Sequence, residues 1–334
     1  MTGRLAAIRS RRTRSSTGAP TRSPAIAAIV ALAMVVGCGQ ATGSPPASTT
    51  PPASAAPTAS GTAAPTAPIT HATGSTDLVL RVADGGGLLP MEMRLAEMPA
   101  ISIYGDGRVI RLTADGAGPT DPLVPTLVES RLTPEGLTLV LAAAGDAGLL
   151  GPDRRLGLED VYDLWTVTFT LVANGATHTT WAYALGFPDE AKFAPPDEMA
   201  ARETLGELFA RLKDLPAWLG SENVGADAPY LPARMSVYVA PVMDWTGTVG
   251  ATPAPATARP GQDIRAWPLD APPEMFGTLV DEHEGTWRCG VLEPEGTEYL
   301  GVGTATNDTR WQVGDRLYRV VVRPLLPDEA GCPG

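Results

Sequence analysis

From Thr76 onward the alternation of apolar and polar positions names a series of short elements. "TDLVLRV" sets Leu78, Leu80 and Val82 against polar or smaller neighbours, the period-two pattern of a half-buried strand. "AISIYGDGRVIRL" reads as two short strands around Gly105-Asp106-Gly107, a hairpin. In "LTPEGLTLVLAAAGDAGLL" the period lengthens to that of a helix. Thr133 is placed to cap it, Pro134 takes the first helical position, Glu135 follows in the first turn, and Gly148 marks the end. The next signal is stronger. "LWTVTFTLVANGATHTTWAYAL" carries Asn174-Gly175, the pair preferred for a two-residue type I′ turn. That turn sets Ala173 opposite Ala176 and Trp165 opposite Ala184. One face then holds Trp165, Val167, Phe169 and Leu171, and the other holds three threonines beside Trp181 and Tyr183.

"PPDEMAARETLGELFARLKDLPAWL" predicts a second amphipathic helix with Met199, Leu205, Leu208, Phe209 and Leu212 on one stripe, bounded by Pro216. "ARMSVYVAPV", "TWRCGVL" and "DRLYRVVVRPLLP" read as further strands. The fold class that follows is α+β: an antiparallel sheet built from hairpins, with two or three helices packed on one face. No fixed-period repeat is present, and the strand–helix alternation of a parallel sheet is missing. A Pro/Ala/Thr/Gly tract divides the folded part into 76–245, a linker or long loop over 246–263, and a unit over 264–334 that belongs to the same domain or stands beside it.

Upstream the pattern changes altogether. From Gly39 to Ser75 the chain is nearly all Ala, Pro, Ser, Thr and Gly, and no charged residue stands between Cys38 and Asp77. Such a segment buries too little apolar surface to order itself, so 38–75 is expected to be a disordered stalk. Its reach runs from about 35 Å as a coil to about 110 Å as polyproline II. Before it, residues 1–37 combine six arginines, no acid, and the 12-residue apolar run "AIAAIVALAMVV". That run falls short of the roughly 20 residues a membrane-spanning helix takes. A basic start, a short apolar middle and a small-residue exit describe an export signal. Arg11-Arg12 in "SRRTRS" is a weak twin-arginine hint, remote from the apolar run.

The run ends in Val35-Val36-Gly37-Cys38, which resembles the lipobox of bacterial lipoproteins. The resemblance implies cleavage before Cys38, a diacylglycerol on its thiol, and an exported chain lipid-anchored to the outer face of the cytoplasmic membrane. Each buried methylene of such an anchor contributes about 0.8 kcal/mol, and two chains hold where one binds marginally.

Charge narrows the partners. The formal net charge is −12, and removal of residues 1–37 with their six arginines takes it to −18. Lys192 and Lys213 are the lysines that remain. Such a surface disfavours nucleic acid, whose phosphates require basic neutralisation, and it disfavours docking on anionic headgroups, which leaves the lipid on Cys38 as the membrane contact. Outside the cytoplasm the remaining cysteines, Cys289 and Cys332, are expected to pair as a disulfide. A two-thiol metal site would lack the further Cys or His ligands that zinc requires.

Candidate chemistry is thin. "VDEHEGTW" brings Asp281, Glu282, His283 and Glu284 together as a weak metal candidate, but successive residues point apart, and a solvated acidic turn is the plainer reading. Glu159, Asp160 and Asp163 in "GLEDVYDLW" offer paired carboxylates of the kind that hydrolyse glycosides, again against the simpler reading of an exposed acidic loop. Ser221 lacks a nucleophile-elbow context, His71 falls in the stalk, and His178 stands opposite Leu171 near the hairpin tip. Gly85-Gly86-Gly87 and "GVGTATND" lack the basic residue of a phosphate loop. Trp181, Trp245 and Trp267 offer a stacking surface for sugar or peptide, with core packing the commoner role. No catalytic residue and no cofactor is assigned.

"ISIYGDGRVI", "LTPEGL" with "AGLL", the "VTF…NG" hairpin and the closing "VRPLLPDEAGC" together resemble exported domains of unknown function found in bacterial lipoproteins. The resemblance covers 77–334 and implies no activity. The expectation is a non-catalytic binding or interaction module facing an envelope-protein or cell-wall partner. The alternative is an extracytoplasmic hydrolase working through the carboxylates of 153–163 or 281–284.

Overall fold

The protein is seen here in a computed structural model that describes residues 68–114, 118–244, 254–281 and 287–332. The leader, Cys38 and the tract to residue 67 lie outside the described residues. So do Glu282, His283 and Glu284, and Trp245.

The fold is α+β with two mostly antiparallel sheets where the sequence pattern suggested one. The first comprises β1 (Leu78–Gly85), β2 (Ile101–Tyr104), β3 (Arg108–Ala114), β4 (Thr126–Arg131), β5 (Arg154–Leu156), β6 (Thr166–Ala173), β7 (Ala176–Tyr183) and β8 (Ala228–Pro229). Their order is β5-β7-β6-β1-β2-β3-β4-β8, and the edge pair β5–β7 is parallel. The β6–β7 register is the one the Asn-Gly turn dictates, from Ala173 opposite Ala176 to Thr166 opposite Tyr183. Asn174 and Gly175 both take left-handed φ, 54° and 75°, as a type I′ turn demands.

Helices clothe one face of this sheet: α1 (Met91–Ala96), α2 (Pro134–Asp146), α3 (Glu190–Phe193), α4 (Met199–Lys213) and α5 (Leu215–Leu219) precede the second sheet in the chain, and α2, α4 and α5 supply the cover. Thr133 caps α2 by accepting from the Gly136 N–H at 3.1 Å, and Gly148 ends it with φ 76°. Leu80, Val82, Phe169 and Leu171 from the strands meet Val140, Leu141, Leu205 and Leu212 from the helices in one apolar core. The α4 stripe holds one surprise. Arg202 is fully buried, while Met199 stays half-buried at the helix start. The guanidinium pairs with Glu190 of α3 and donates to the carbonyls of Gly157 (3.3 Å) and Tyr183 (2.5 Å), fastening two loops to the helix.

The second sheet is built from β9 (Met235–Pro241), β12 (Ile264–Ala266), β13 (Thr278–Asp281), β14 (Trp287–Leu292), β15 (Arg310–Val313) and β16 (Arg316–Pro324), in the order β12-β15-β16-β9-β14-β13. A two-residue pair, β10 (Met243–Asp244) and β11 (Ala254–Pro255), lies outside both sheets. β9, which precedes the Pro/Ala/Thr/Gly tract, lies between β16 and β14, which follow it. One face packs Val237, Val239, Val320 and Val322 under Trp311, Tyr318 and Phe276. The other packs Tyr238, Val321, Trp287 and Cys289 against Met91 and Leu95 of α1. The short α6 (Pro294–Tyr299) caps one edge.

Cys289 and Cys332 form a disulfide, with Cα atoms 5.8 Å apart. It fixes the C-terminal segment, which runs in the layer between the sheets. There Asp328 binds Arg81 (2.7 Å) and the Tyr104 hydroxyl (2.9 Å) of the first sheet. Glu329 accepts both terminal nitrogens of Arg323 of the second, each at 2.7 Å. At the opposite end of the first sheet from α1, the chain enters over the β6–β7 turn. The Thr70 N–H donates to the Asn174 side chain at 2.9 Å, and Ile69 packs on the first core. Among the described residues no helix is long and apolar enough to cross a membrane.

Candidate functional site

The C-terminal ends of β1 and β3, the segment 85–98 and the facing strands β15 and β16 enclose a cleft of about 730 Å3. Its entrance is shaped by Gly85-Gly86-Gly87. Gly86 and Gly87 adopt φ of +86° and +84°, and a Cβ on Gly87 would stand 3.0 Å from the Asp163 carbonyl. Only glycine therefore lets this loop pass so close to the 163–165 segment. Leu88 follows at the lip, 82% exposed, and Pro90 delivers the chain into α1. Glu97, just beyond α1, accepts the Gly86 N–H at 2.9 Å and holds the loop down.

Most of the lining is apolar: Leu89, Met93, Met98, Leu112, Leu123, Leu164, Trp165 and Val320 contribute. The charged groups divide by wall. On the second-sheet wall stand Arg310 and Arg319. Arg319 pairs with Glu92 of α1 and lies over the Trp287 ring, 5.0 Å from its centroid. Arg310 donates one nitrogen to the carbonyls of Asn307 and Thr309, each at 2.8 Å, and its nearest carboxylate, Asp308, is 3.9 Å away. Burial works against both charges and lowers both guanidinium pKa values from their ordinary position. On the first-sheet wall stand Asp84, Glu97 and Asp163. Although its side chain reaches the surface, the crowded strand end desolvates the Asp84 carboxyl and raises its pKa, with Lys213 opposing.

A second hollow of about 220 Å3 lies beside Pro273, Glu274, Arg316 and Tyr318. The Tyr318 hydroxyl donates to Glu274 there. Burial first, and then this bond, push the phenol up to about 12, while the same bond draws the Glu274 carboxyl below its usual value.

The residues singled out from sequence scatter. Asp163 reaches the cleft, whereas Glu159 and Asp160 are exposed away from its lining. Asp281 is placed in β13 by its backbone, and among the described residues no group of three or more His, Cys, Asp or Glu is set to hold a metal ion. His71 and His178 bond backbone carbonyls of Ala72 and Gly151, at 2.7 and 2.8 Å, and Ser221 is exposed in a turn. Trp181 lies beneath the Arg155 guanidinium, 4.1 Å from ring centroid to carbon, and Trp267 stacks edge-on to Phe276 at 5.8 Å. Sequence reasoning missed Arg310, Arg319 and Glu92. A signal existed for one of them: Arg319 interrupts the apolar strand "LYRVVV", and an arginine inside a buried strand implies a partner or a cavity.

Comparison of the chain with protein-family models, with curated proteins and with solved structures finds no match.

Proposed function

We propose that this chain is an exported lipoprotein, held to the outer face of the cytoplasmic membrane by lipid on Cys38, and that its domain is a non-catalytic binding module whose site is the cleft. The cleft carries the binding reading. Its volume lies within the roughly 300–1,000 Å3 of small-molecule sites, its walls are mainly apolar, and a few charged groups sit on rigid strand ends. The anchor rests on the leader: the arginines, the 12-residue apolar run and Val35-Val36-Gly37-Cys38. The ligand or partner then belongs to the envelope, as a small molecule or a group presented by a protein or the cell wall. The hydrolytic alternative has less support, because Glu159, Asp160 and Asp163 are all exposed rather than converging in a dry site.

Native mass spectrometry of the mature chain from gently solubilised envelope tests the binding reading. A bound mass is expected in the wild type and absent in Ala96→Trp, whose indole fills the cleft from α1. A wild type that stays bare, even after incubation with envelope extract, refutes it. For the anchor, Cys38→Ser should abolish fatty-acid labelling and release the chain from membranes. Persistent labelling would defeat the lipoprotein assignment.

A further inference from the structure

The two arginines of the cleft wall are a cross-strand pair. Trp311 faces Tyr318 in the β15–β16 ladder, and continuing that register by one residue sets Arg310 across from Arg319 on the same face. Like charges directly opposite in a sheet repel. Here both stand in a partly desolvated wall, where burial opposes each charge and water screens less than at the surface. The carboxylate supply is short. Glu92 is engaged with Arg319, Asp308 stays 3.9 Å from Arg310, and the Arg319 Nε is buried with no hydrogen-bond partner. The remaining acids of the cleft do not meet this demand. Glu97 accepts from Gly86, and Asp84 and Asp163 lie on the opposite wall with exposed side chains. Between the walls Met93, Met98, Leu112, Leu123, Leu164 and Val320 offer apolar surface, two of them methionines that adapt to irregular shapes.

We propose that the cleft receives an anionic amphiphile, with its carboxylate or phosphate head against Arg310 and Arg319 and its apolar body along the methionine and leucine lining. The proposal rests on the reading of the cleft as a ligand site and specifies the chemistry of what fills it. A head group that supplies two or more anionic oxygens neutralises the paired guanidinium groups by accepting from their terminal nitrogens, in charge-assisted bonds of the stronger kind. The exposed acids lie on the other wall, away from the arginine pair, and Asp163 there is open to solvent and screened.

Isothermal titration of the mature chain with four probes that share one alkyl chain tests it: dodecanoate, dodecyl phosphate, dodecyltrimethylammonium and dodecyl maltoside, each below its micelle-forming concentration. At least one anionic probe is expected to bind about tenfold or more tighter than the cationic and neutral ones, in keeping with a charged hydrogen bond. The arm that wins distinguishes a carboxylate from a phosphate ligand. Arg310→Gln should weaken the anionic arm about tenfold and leave the neutral arm unchanged, and Arg310→Lys should recover part of the loss. Melting curves of both variants, and Ala96→Trp as a blocked control with the arginines intact, separate loss of site from loss of fold. Equal or tighter binding of the cationic or neutral probe overturns the proposal and leaves the ligand-site reading standing. No binding by any probe overturns the proposal too, and the native mass measurement then decides whether the ligand-site reading falls with it.

Discussion

In the first sheet Leu80, Phe169 and Ile103 are covered by α2, α4 and α5. The buried core they share is aliphatic residues, alanine and phenylalanine, with Trp165 and Trp218 packed at its margin and no tyrosine. In the second sheet the strands are covered by loops, by six-residue helices and by the C-terminal segment, and the burial falls to Trp287, Trp311, Tyr238 and Tyr318. Helices bring a continuous apolar stripe and satisfy their own backbone, so small and branched side chains suffice beneath them. Loops bring neither. The loop-covered half relies instead on large aromatic side chains, on a cystine, and on arginine–carboxylate pairs such as Arg323–Glu329 and Arg81–Asp328. The lesson is that the cover over a sheet, more than the sheet itself, decides which side chains must fill the space. It also explains where the cleft lies. A helix-covered core closes on itself, whereas a loop-covered one leaves gaps lined by charged groups.

The comparison can be broken most forcefully at the cystine. Cys289 and Cys332 are 43 positions apart, and on the chain-entropy account losing their bond destabilises by about 4 kcal/mol. Cys289→Ser with Cys332→Ser, or reduction of the wild type, should lower the melting temperature and speed amide exchange in β14, β9 and β16 before β1 and β6. Uniform loosening of both sheets would show that the two halves unfold as one.

The helix-covered half buries one charged side chain among the described residues, Arg202. Arg202→Met removes the partner of a mostly buried Glu190 and two fastening hydrogen bonds to backbone carbonyls, and should destabilise by about 3 kcal/mol. Replacing Glu190 by Gln in the same chain should recover part of that loss, since the stranded charge goes with it. Denaturant midpoints of the single and double variants measure the difference.

Alkaline pH should act on the loop-covered faces of both sheets. Burial pushes the phenols of Tyr230 and Tyr318 up to about 12 and raises that of Tyr104 as well. An unfolded phenol ionises near 10. From about pH 10 to 12 the unfolded chain therefore releases protons that the folded chain keeps, so stability falls as pH rises through that window. Denaturant midpoints between pH 9 and 11.5, with tyrosinate absorbance, should show this fall. Tyr318→Phe should flatten it, and an unchanged slope would remove Tyr318 from the account. The acid side has the opposite sense. Arg323 holds the Glu329 carboxyl below its usual range against the pull of burial, so that contribution is present at neutral pH and disappears as the solution turns strongly acid.

The smallest effect belongs to the cap of α2. Thr133→Ala deprives the Gly136 N–H of its acceptor and should lower stability by about 1 kcal/mol, while Thr133→Ser should change little. Thermal melts of the pair check it.

The first half was the more legible in sequence, for a physical reason. Asn174-Gly175, the Thr133-Pro134 cap and the α4 stripe are local rules, each decided by residues a few positions apart. The position of β9 between β16 and β14 is decided by pairing across some fifty to ninety positions, on which the local pattern is silent. The parallel edge strands β5 and β12 are three residues long, too short to show a period. Arg202 was hidden because one polar residue inside an apolar stripe looks like its edge until Glu190 is brought beneath it. The cystine was legible from the cysteine count once Cys38 was set aside and an oxidising compartment was expected. The cleft was not, because its lining comes from distant segments, of which Gly85–Gly87 and Asp163 had drawn notice separately, with nothing local to join them.

The bond between Thr70 and the Asn174 side chain fixes a direction. It ties the incoming chain to the turn at one end of β6 and β7, while Gly85 and Trp165, at the other end of β1 and β6, open on the cleft. Eight residues of strand put about 25 Å between the two. A chain moored at Cys38 would thus pull on the hairpin tip and leave the mouth of the cleft untouched. Load on the tether would be borne by the shared ladder of β6 and β7, whose hydrogen bonds lie across the strands. On the proposed mooring and ligand site, holding the domain and filling it would be separate events, and a ligand would enter or leave without the mooring having to give way.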